Sequence, residues 1–250
     1  MHLKNSIVRI AKNTLIRFPK KIIRFFGYCE EFVRFRKMNQ QRGAVYYGNA
    51  YPCLSDKIKT TPFDQHYTYH PAWAARILAQ TRPKEHIDIS SILHFGTIVS
   101  AFIPVKFYDY RPAELNLPNY DSDFADLKKL SFESNSIESL SCMHTIEHIG
   151  LGRYGDELDS NGDIKAIDEL KRVLKPNGNL LIVTPVGKPK IEFNAHRIYS
   201  FEQIIEYFSP LTVNEFSLIP DEGGIIINAD PALVKMQDYG CGCFWFKKTN

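Results

Sequence analysis

Cysteine is scarce in this chain and long apolar runs are missing, and both shortages narrow its class. The five cysteines, Cys29, Cys53, Cys142, Cys241 and Cys243, make an odd count with no regular framework. That excludes a disulfide-stapled scaffold and fits free thiols in a reducing compartment. The Cys241-x-Cys243 pair has no second ligand pair nearby, so no metal is expected on it. No stretch approaches the ~18 consecutive apolar residues that a bilayer span needs. No short apolar core precedes a small-residue cleavage site either, so neither a membrane span nor a signal peptide is expected. Internal repeats and low-complexity tracts are also lacking.

What is there is enough for a core: 44% of the 250 residues are apolar, which suits one ordinary domain with an appendage. The net charge of +3 hides an asymmetry. Through Arg42 there are 11 Lys/Arg against Glu30 and Glu31, or +9, which leaves −6 on the rest. The expected division is therefore a basic arm, residues 1–42, and a mildly acidic body, residues 43–250. In the arm, Leu3, Ile7, Ile10, Ala11, Leu15 and Phe18 recur at helical spacing between Lys4, Lys12 and Arg17, and Ile22, Ile23, Phe25 and Phe26 extend the apolar face. Such a helix can lie on an anionic membrane surface or pack on its own body or a partner protein. No nucleic-acid module accompanies it, so no specific nucleic-acid partner is expected. A cytoplasmic location, peripheral at the inner face of the membrane, follows from the first of these readings.

The body alternates strand and helix. Pro71 is expected to open a short helix that closes before Pro83. HIDIS (86–90) reads as a strand, residues 91–102 as a helix and VKFYDY (105–110) as a second strand, which together form a βαβ unit. Ile137–Met143 is a buried strand and Asp163–Lys175 an amphipathic helix stopped by Pro176-Asn-Gly. NLLIVTP is another strand, and residues 200–208 form a helix with Ser200 as N-cap. LTVNEFSLI and CFWFKK supply two final strands. The strand Ile137–Met143 ends on His144, Glu147 and His148, whose i, i+3, i+4 spacing puts them on one face of a helical turn. The polar loop Gly150–Gly162 follows, with Arg153 and Tyr154 able to grip an anionic or sugar acceptor. Strand carboxyl ends are where open α/β sheets bind ligands.

The run ELKRVLKPNGNLLIVTPVG after a strand ending in HTIEHIG resembles the class I S-adenosylmethionine-dependent methyltransferases. The stretches YHPAWAARILAQTRPKEHIDISS, FYDYRP, HTIEHIGLGRYGD, FNAHRIYSFEQI and YGCGCFWFKK are similar to the uncharacterised family called domain of unknown function 268. The resemblance implies a Rossmann-like doubly wound α/β fold with a mostly parallel seven-stranded sheet, and S-adenosylmethionine as cofactor. It implies that Asp88, Ser90 and Ser91 hold the methionine part of the cofactor from the first strand-to-helix turn. There, serines stand where the family has a glycine-rich loop. Asp109 would accept from the ribose hydroxyls, or else be a turn aspartate. Asp126 would contact the adenine with Leu127 beside the ring, or else cap a loop. His144 or His148 would be the base that takes the acceptor's proton, with Glu147 orienting an imidazole. Asn194, His196 and Arg197 converge on the same sheet edge as further acceptor residues.

The expected reaction is methyl transfer to an oxygen or nitrogen acceptor, such as a sugar of a surface polysaccharide or its lipid-linked precursor. A non-catalytic scaffold of the same fold is the main alternative, favoured by the missing glycine loop. His144-x-x-Glu147-His148 also matches the H-x-x-E-H pattern of inverted zinc peptidases, a remoter alternative because that pattern needs a sustained helix and a third carboxylate.

Overall fold

The structure, a computed structural model of the chain, describes residues 21–38 and 43–249. The amphipathic stretch from Leu3 to Phe18 therefore lies outside the described residues. Two compact units divide the chain, Met1–Pro62 and Phe63–Asn250. The division falls after Pro62, where the sequence suggests Arg42. In the first unit residues 21–38 are helical (α1). Ile23 and Phe26 on this helix are 71% and 68% exposed, beside the exposed cations Lys21, Arg24, Arg34 and Arg36. Among the described residues no helix is long and apolar enough to cross a membrane.

The second unit is built on a seven-stranded sheet. In chain order the strands are β1 (His86–Ile89), β2 (Val105–Asp109), β3 (Tyr120–Phe124), β4 (Ile137–Met143), β5 (Leu174–Val186), β8 (Thr212–Ile219) and β9 (Gly240–Lys247). A separate two-stranded ribbon pairs β6 (Lys190–Glu192) with β7 (His196–Ile198). The sheet order is β3-β2-β1-β4-β5-β9-β8. β1 to β5 pair in parallel, and β9 alone runs against the direction of the other strands of the sheet. The expected fold class is thus observed.

Helices cover both faces: α2 (Gln65–Thr81) and α3 (Leu93–Val99) on one, α4 (Gly162–Val173) and α5 (Phe201–Phe208) on the other. Strands buried on both faces read as continuous apolar runs, which is why β5 and β9 are visible in the sequence. Each face has its own core. Leu180, Ile182, Phe244 and Phe246 pack with Ile167, Leu170 and Phe208, while the alternate residues Leu181, Val183, Cys241, Cys243 and Trp245 pack with Trp73, Ile77 and Phe95. The two-residue period of the strand makes this division. α5 carries the expected cap as a full capping box between Ser200 and Gln203.

Two expectations are corrected. α2 starts at Gln65, six residues before Pro71, because the Asp64 side chain accepts from Tyr67 N–H and caps it there. Pro71 lies inside the helix, where it has no N–H to offer the carbonyl one turn back. The added turn carries His66. β3 has no counterpart in the apolar pattern, because YDSDF is an edge strand in which only Tyr120 is buried.

Candidate active site

Register sets the site. Asp88 of β1 is level with Phe107 of β2 and with Ser141 of β4, so three strand tips end close together. The chain leaves the first through Ser90 and the third through His144, at φ +57° and +56°. Neither is glycine, and a left-handed backbone costs such residues about 1–2 kcal/mol each. Strain of this kind persists where surrounding bonds over-determine it, and it gathers at functional sites. Here Ser90 N–H donates to Tyr108 O at 2.8 Å, Thr145 Oγ1 donates to Ser90 O at 3.0 Å, and His144 N–H donates to Val183 O at 2.8 Å.

Between the tips lies a pocket of about 290 Å³, at the lower edge of the roughly 300–1,000 Å³ usual for small-ligand sites. Of the residues singled out in the sequence, Ser90, Asp109, Asp126, Leu127, His144, His148 and Tyr154 line it. Asp109 Oδ1 accepts from Arg111 N–H at 2.7 Å and Asp126 Oδ1 from Lys128 N–H at 2.9 Å. Each aspartate thus keeps a second oxygen for a ligand. The Arg111 and Arg153 guanidinium groups sit 4.5 and 5.1 Å from the Tyr154 ring centroid, and they give the pocket a cationic and aromatic rim.

His144, Glu147 and His148 do not share a helical face. Only Ile146–His148 is helical, as a three-residue 3-10 turn, and the left-handed His144 precedes it. The sustained helix of an H-x-x-E-H zinc site is therefore not formed. Instead, Glu147 is fully buried between the two rings. Its Oε1 accepts from His144 Nδ1 at 2.9 Å and lies 3.7 Å from His148 Nε2. Burial pushes the Glu147 carboxyl up, but the hydrogen bond and charge of His144 and the charge of His148 outweigh it, so the net shift is downward. His148 Nδ1 donates to Ala195 O at 2.6 Å. Burial lowers the His148 pKa, which favours a neutral ring with its lone pair on Nε2.

The other candidates lie off the pocket wall. Asp88 is fully buried in a chain of side chains across β1 and β4: Ser141 Oγ donates to Asp88, and His86 contacts Ser141 and Ser139 at 2.9 and 2.8 Å. Burial pushes the Asp88 carboxyl up to about 7 and the His86 ring down to about 3. Ser91 Oγ accepts from Met143 N–H. Arg153 donates to Ala195 O behind Tyr154, and Asn194 donates to Leu151 O at 3.5 Å. His196 pairs with Glu192 and packs on Tyr239. Arg197 is buried and clamps the polar loop, donating to Ile149 O at 2.7 Å and Ser160 O at 3.4 Å and pairing with Asp163. Asp156 also folds the loop on itself, accepting from Gly150 N–H and Tyr154 N–H.

A second group of side chains, not singled out in the sequence, meets His144 from the α2 side. The His66 ring lies parallel to it at 5.6 Å, and His70 and Tyr67 approach at 5.1 and 5.3 Å. Cys241 Sγ is 3.4 Å from His144 Nε2. Burial, then the charge of His144, lowers the His66 pKa to about 4. His70 Nδ1 donates to His66 O, leaving a buried Nε2 without a partner. The i, i+4 spacing of His66 and His70 is the available signal, hidden by the late helix start expected at Pro71.

Against known proteins, the family described as "Caenorhabditis protein of unknown function, DUF268" matches residues 120–209, a narrower span than the similar motifs cover. Comparison with curated proteins gives no match. Solved structures with a similar chain path include a putative sarcosine dimethylglycine methyltransferase from Galdieria sulphuraria. It is 14% identical, with a TM-score of 0.52 over 72% of this chain and 85% of that one. The N-methyltransferase NodS from Bradyrhizobium japonicum WM9, in complex with S-adenosylhomocysteine, is 12% identical with a TM-score of 0.52 over 80% and 92%. The Burkholderia thailandensis 1,6-didemethyltoxoflavin-N1-methyltransferase, with its substrate and S-adenosylhomocysteine bound, is 11% identical with a TM-score of 0.51 over 73% and 79%. The fold is that of the class I methyltransferases. At this identity the likeness speaks for the fold alone.

Proposed function

We propose that this chain transfers a methyl group from S-adenosylmethionine to a hydroxyl or amine acceptor, with His148 as the base. The observation that supports it best is the convergence of β1, β2 and β4 and the segment after β3 on one pocket, lined by Ser90, Asp109, Asp126 and the two histidines. The residues present fit the cofactor in kind. Asp109 and Asp126 each have a carboxylate oxygen for hydroxyl and amino donors, and the buried Leu127 offers an apolar wall. Ser90 already holds the left-handed turn that a glycine would otherwise provide. When bound, the cofactor supplies an electrophilic methyl group on a sulfonium.

The chain's own part is to align the acceptor and remove its proton. His148 suits proton removal, since its Nδ1–H is tied to Ala195 O and its Nε2 faces a buried carboxylate 3.7 Å away that would stabilise the ring once protonated. His144 suits it less, because its Nε2 is turned to Cys241. A glycan, such as a surface-polysaccharide sugar or lipid-linked precursor, is the acceptor we favour, supported by the cationic and aromatic rim at Arg111 and Tyr154. The exposed Ile23 and Phe26 of α1, within a segment of charge +9, support a peripheral position at an anionic membrane.

Calorimetry with S-adenosylmethionine and S-adenosylhomocysteine is the first test. Measurable affinity for both is expected, weakened in Asp109→Asn. His148→Gln should keep that affinity within about twofold while transfer to a panel of nucleotide sugars and isolated polysaccharides falls by roughly 10²–10⁴. Absence of binding would refute the proposal and leave the non-catalytic scaffold. One feature favours that second reading: Ser90 N–H and Oγ are both spent on Tyr108 O.

A further inference from the structure

We propose that His66, His144 and Cys241 bind one divalent metal ion of the zinc class where α2 meets the tips of β4 and β9. The inference does not depend on methyl transfer. Two imidazole nitrogens and one thiol sulfur form a set that takes zinc and its neighbours and disfavours magnesium or calcium, which bind oxygen. The three donor atoms all lie within 4.8 Å of one another. For a tetrahedral ion with zinc–sulfur near 2.3 Å and zinc–nitrogen near 2.0–2.1 Å, the sulfur–nitrogen separation is about 3.5 Å. Cys241 Sγ and His144 Nε2 stand 3.4 Å apart, so that edge of the tetrahedron is already formed. His66, partly exposed in the first turn of α2, can make the remaining adjustment by side-chain rotation.

The surroundings of His144 support the same assignment independently. A metal-binding histidine commonly donates its other ring N–H to a carboxylate, which fixes the tautomer and makes the free nitrogen a better ligand. Here His144 Nδ1 donates to Glu147 Oε1 at 2.9 Å, which leaves Nε2 as the lone pair aimed at Cys241. The left-handed backbone of His144 is what turns the ring there. Glu147 itself is 0% exposed, and its Oε2 has no hydrogen-bond partner. A buried carboxylate in that state needs positive charge nearby. A doubly charged ion with one thiolate leaves a single positive charge, which Glu147 balances. Binding releases the Cys241 thiol proton to solvent, so loading is more complete at higher pH. Three protein ligands leave the fourth position for water or a substrate atom.

The set is hidden in the sequence because its members come from distant segments. Cys241 and Cys243 lack a neighbouring ligand pair, and the fold supplies the partners from residues 66 and 144.

The test uses the untagged full-length chain, produced with zinc in the medium and desalted, with metal content measured by mass spectrometry. About one zinc per chain is expected, falling at least fivefold in His66→Ala and in Cys241→Ser. The double variant Cys29→Ser/Cys53→Ser removes exposed thiols outside the site and should keep full zinc. Cobalt loading should give a thiolate-to-metal charge-transfer band that Cys241→Ser abolishes. If Cys241→Ser fails to fold, His66→Ala on the partly exposed ligand decides alone, with circular dichroism confirming its fold. Zinc retained in His66→Ala, or no zinc in the wild-type chain at excess metal, overturns the proposal. Measuring S-adenosylhomocysteine affinity on the same samples keeps this outcome separate from that of the methyl-transfer reading.

Discussion

Asp88 and His86 make a quantitative prediction. Both are 0% exposed and are joined through Ser141. Burial raises the Asp88 pKa from 3.8 to about 7, so below pH 7 the folded chain keeps a proton that the unfolded chain releases above pH 3.8. Its contribution to stability is complete below pH 3.8 and is lost as pH rises toward 7. Burial lowers the His86 pKa from 6.5 to about 3, so the unfolded chain binds a proton that the folded chain refuses. That contribution is complete above pH 6.5 and is lost as pH falls toward 3. Between these limits the two slopes are opposite and nearly cancel. Asp88→Asn removes only the first, so its stability should climb with pH relative to wild type by about 1.4 kcal/mol per pH unit, or about 3 kcal/mol from pH 4.5 to 6.5. His86→Gln should show the opposite trend. Urea unfolding of the full chain, followed by the fluorescence of Trp73 and Trp245, gives the slopes. Parallel pH profiles for wild type and Asp88→Asn would mean that Asp88 carries no buried proton, and would overturn the prediction. The same variant should leave S-adenosylhomocysteine affinity unchanged, since Asp88 lies behind the pocket wall.

Ser90→Gly should relieve the left-handed turn and stabilise the chain by up to about 1 kcal/mol, read as a rise of a few degrees in thermal unfolding; a loss of stability would mean that the Ser90 hydroxyl outweighs the strain. Gly150→Ala should cost about 2–4 kcal/mol, because at φ +80° its Cβ would lie 2.1 Å from Asp159 O; a melting temperature within about one degree of wild type would contradict this. Arg197→Met should loosen the loop 150–162, because it removes the donors to Ile149 O and Ser160 O and leaves buried Asp163 short of charge. Faster proteolysis within that loop is the readout, and an unchanged rate would count against the clamp. Vesicles containing anionic lipid should co-sediment with the full chain at low salt and release it at high salt, and neutral vesicles should not; equal binding to both would separate α1 from anionic lipid.

The parts of the fold that are legible in the sequence are those where burial dictates composition. β5 and β9 lie between helix layers, so their apolar runs stand out, and the amphipathic stripe of α4 faces one core. β3 is not legible this way: an edge strand needs no apolar run, and its backbone pairing with β2 leaves little trace in YDSDF. The start of α2 is hidden for a related reason. Pro71 suggests a helix start by local rules, yet Asp64 caps the chain about two turns earlier, and the packing of Trp73, Ala74 and Ile77 holds the helix through the proline.

The site divides along the same line. Residues at strand tips can be placed from sequence, because a tip's position follows from the sheet: Ser90, Asp109 and His144 meet once β1, β2 and β4 pair in register. What sequence spacing does not supply is direction. His144, Glu147 and His148 look like one helical face, but a left-handed residue at the first position sends His144 toward α2 and β9 while His148 stays with Ala195, and Glu147 becomes the buried charge between two rings with different roles. The direction of His144 has a consequence for the chemistry. A ring whose Nδ1 is committed to Glu147 and whose Nε2 is committed to Cys241 has no lone pair left for an acceptor's proton, so the two histidines that sequence alone leaves equivalent are separated by a single backbone torsion. Glycine at position 144 would free that torsion and remove the ring, so His144→Asn, which tolerates φ +56°, is the variant that tests the ring apart from the turn. It should keep the fold, lose the metal, and leave proton transfer through His148 in place.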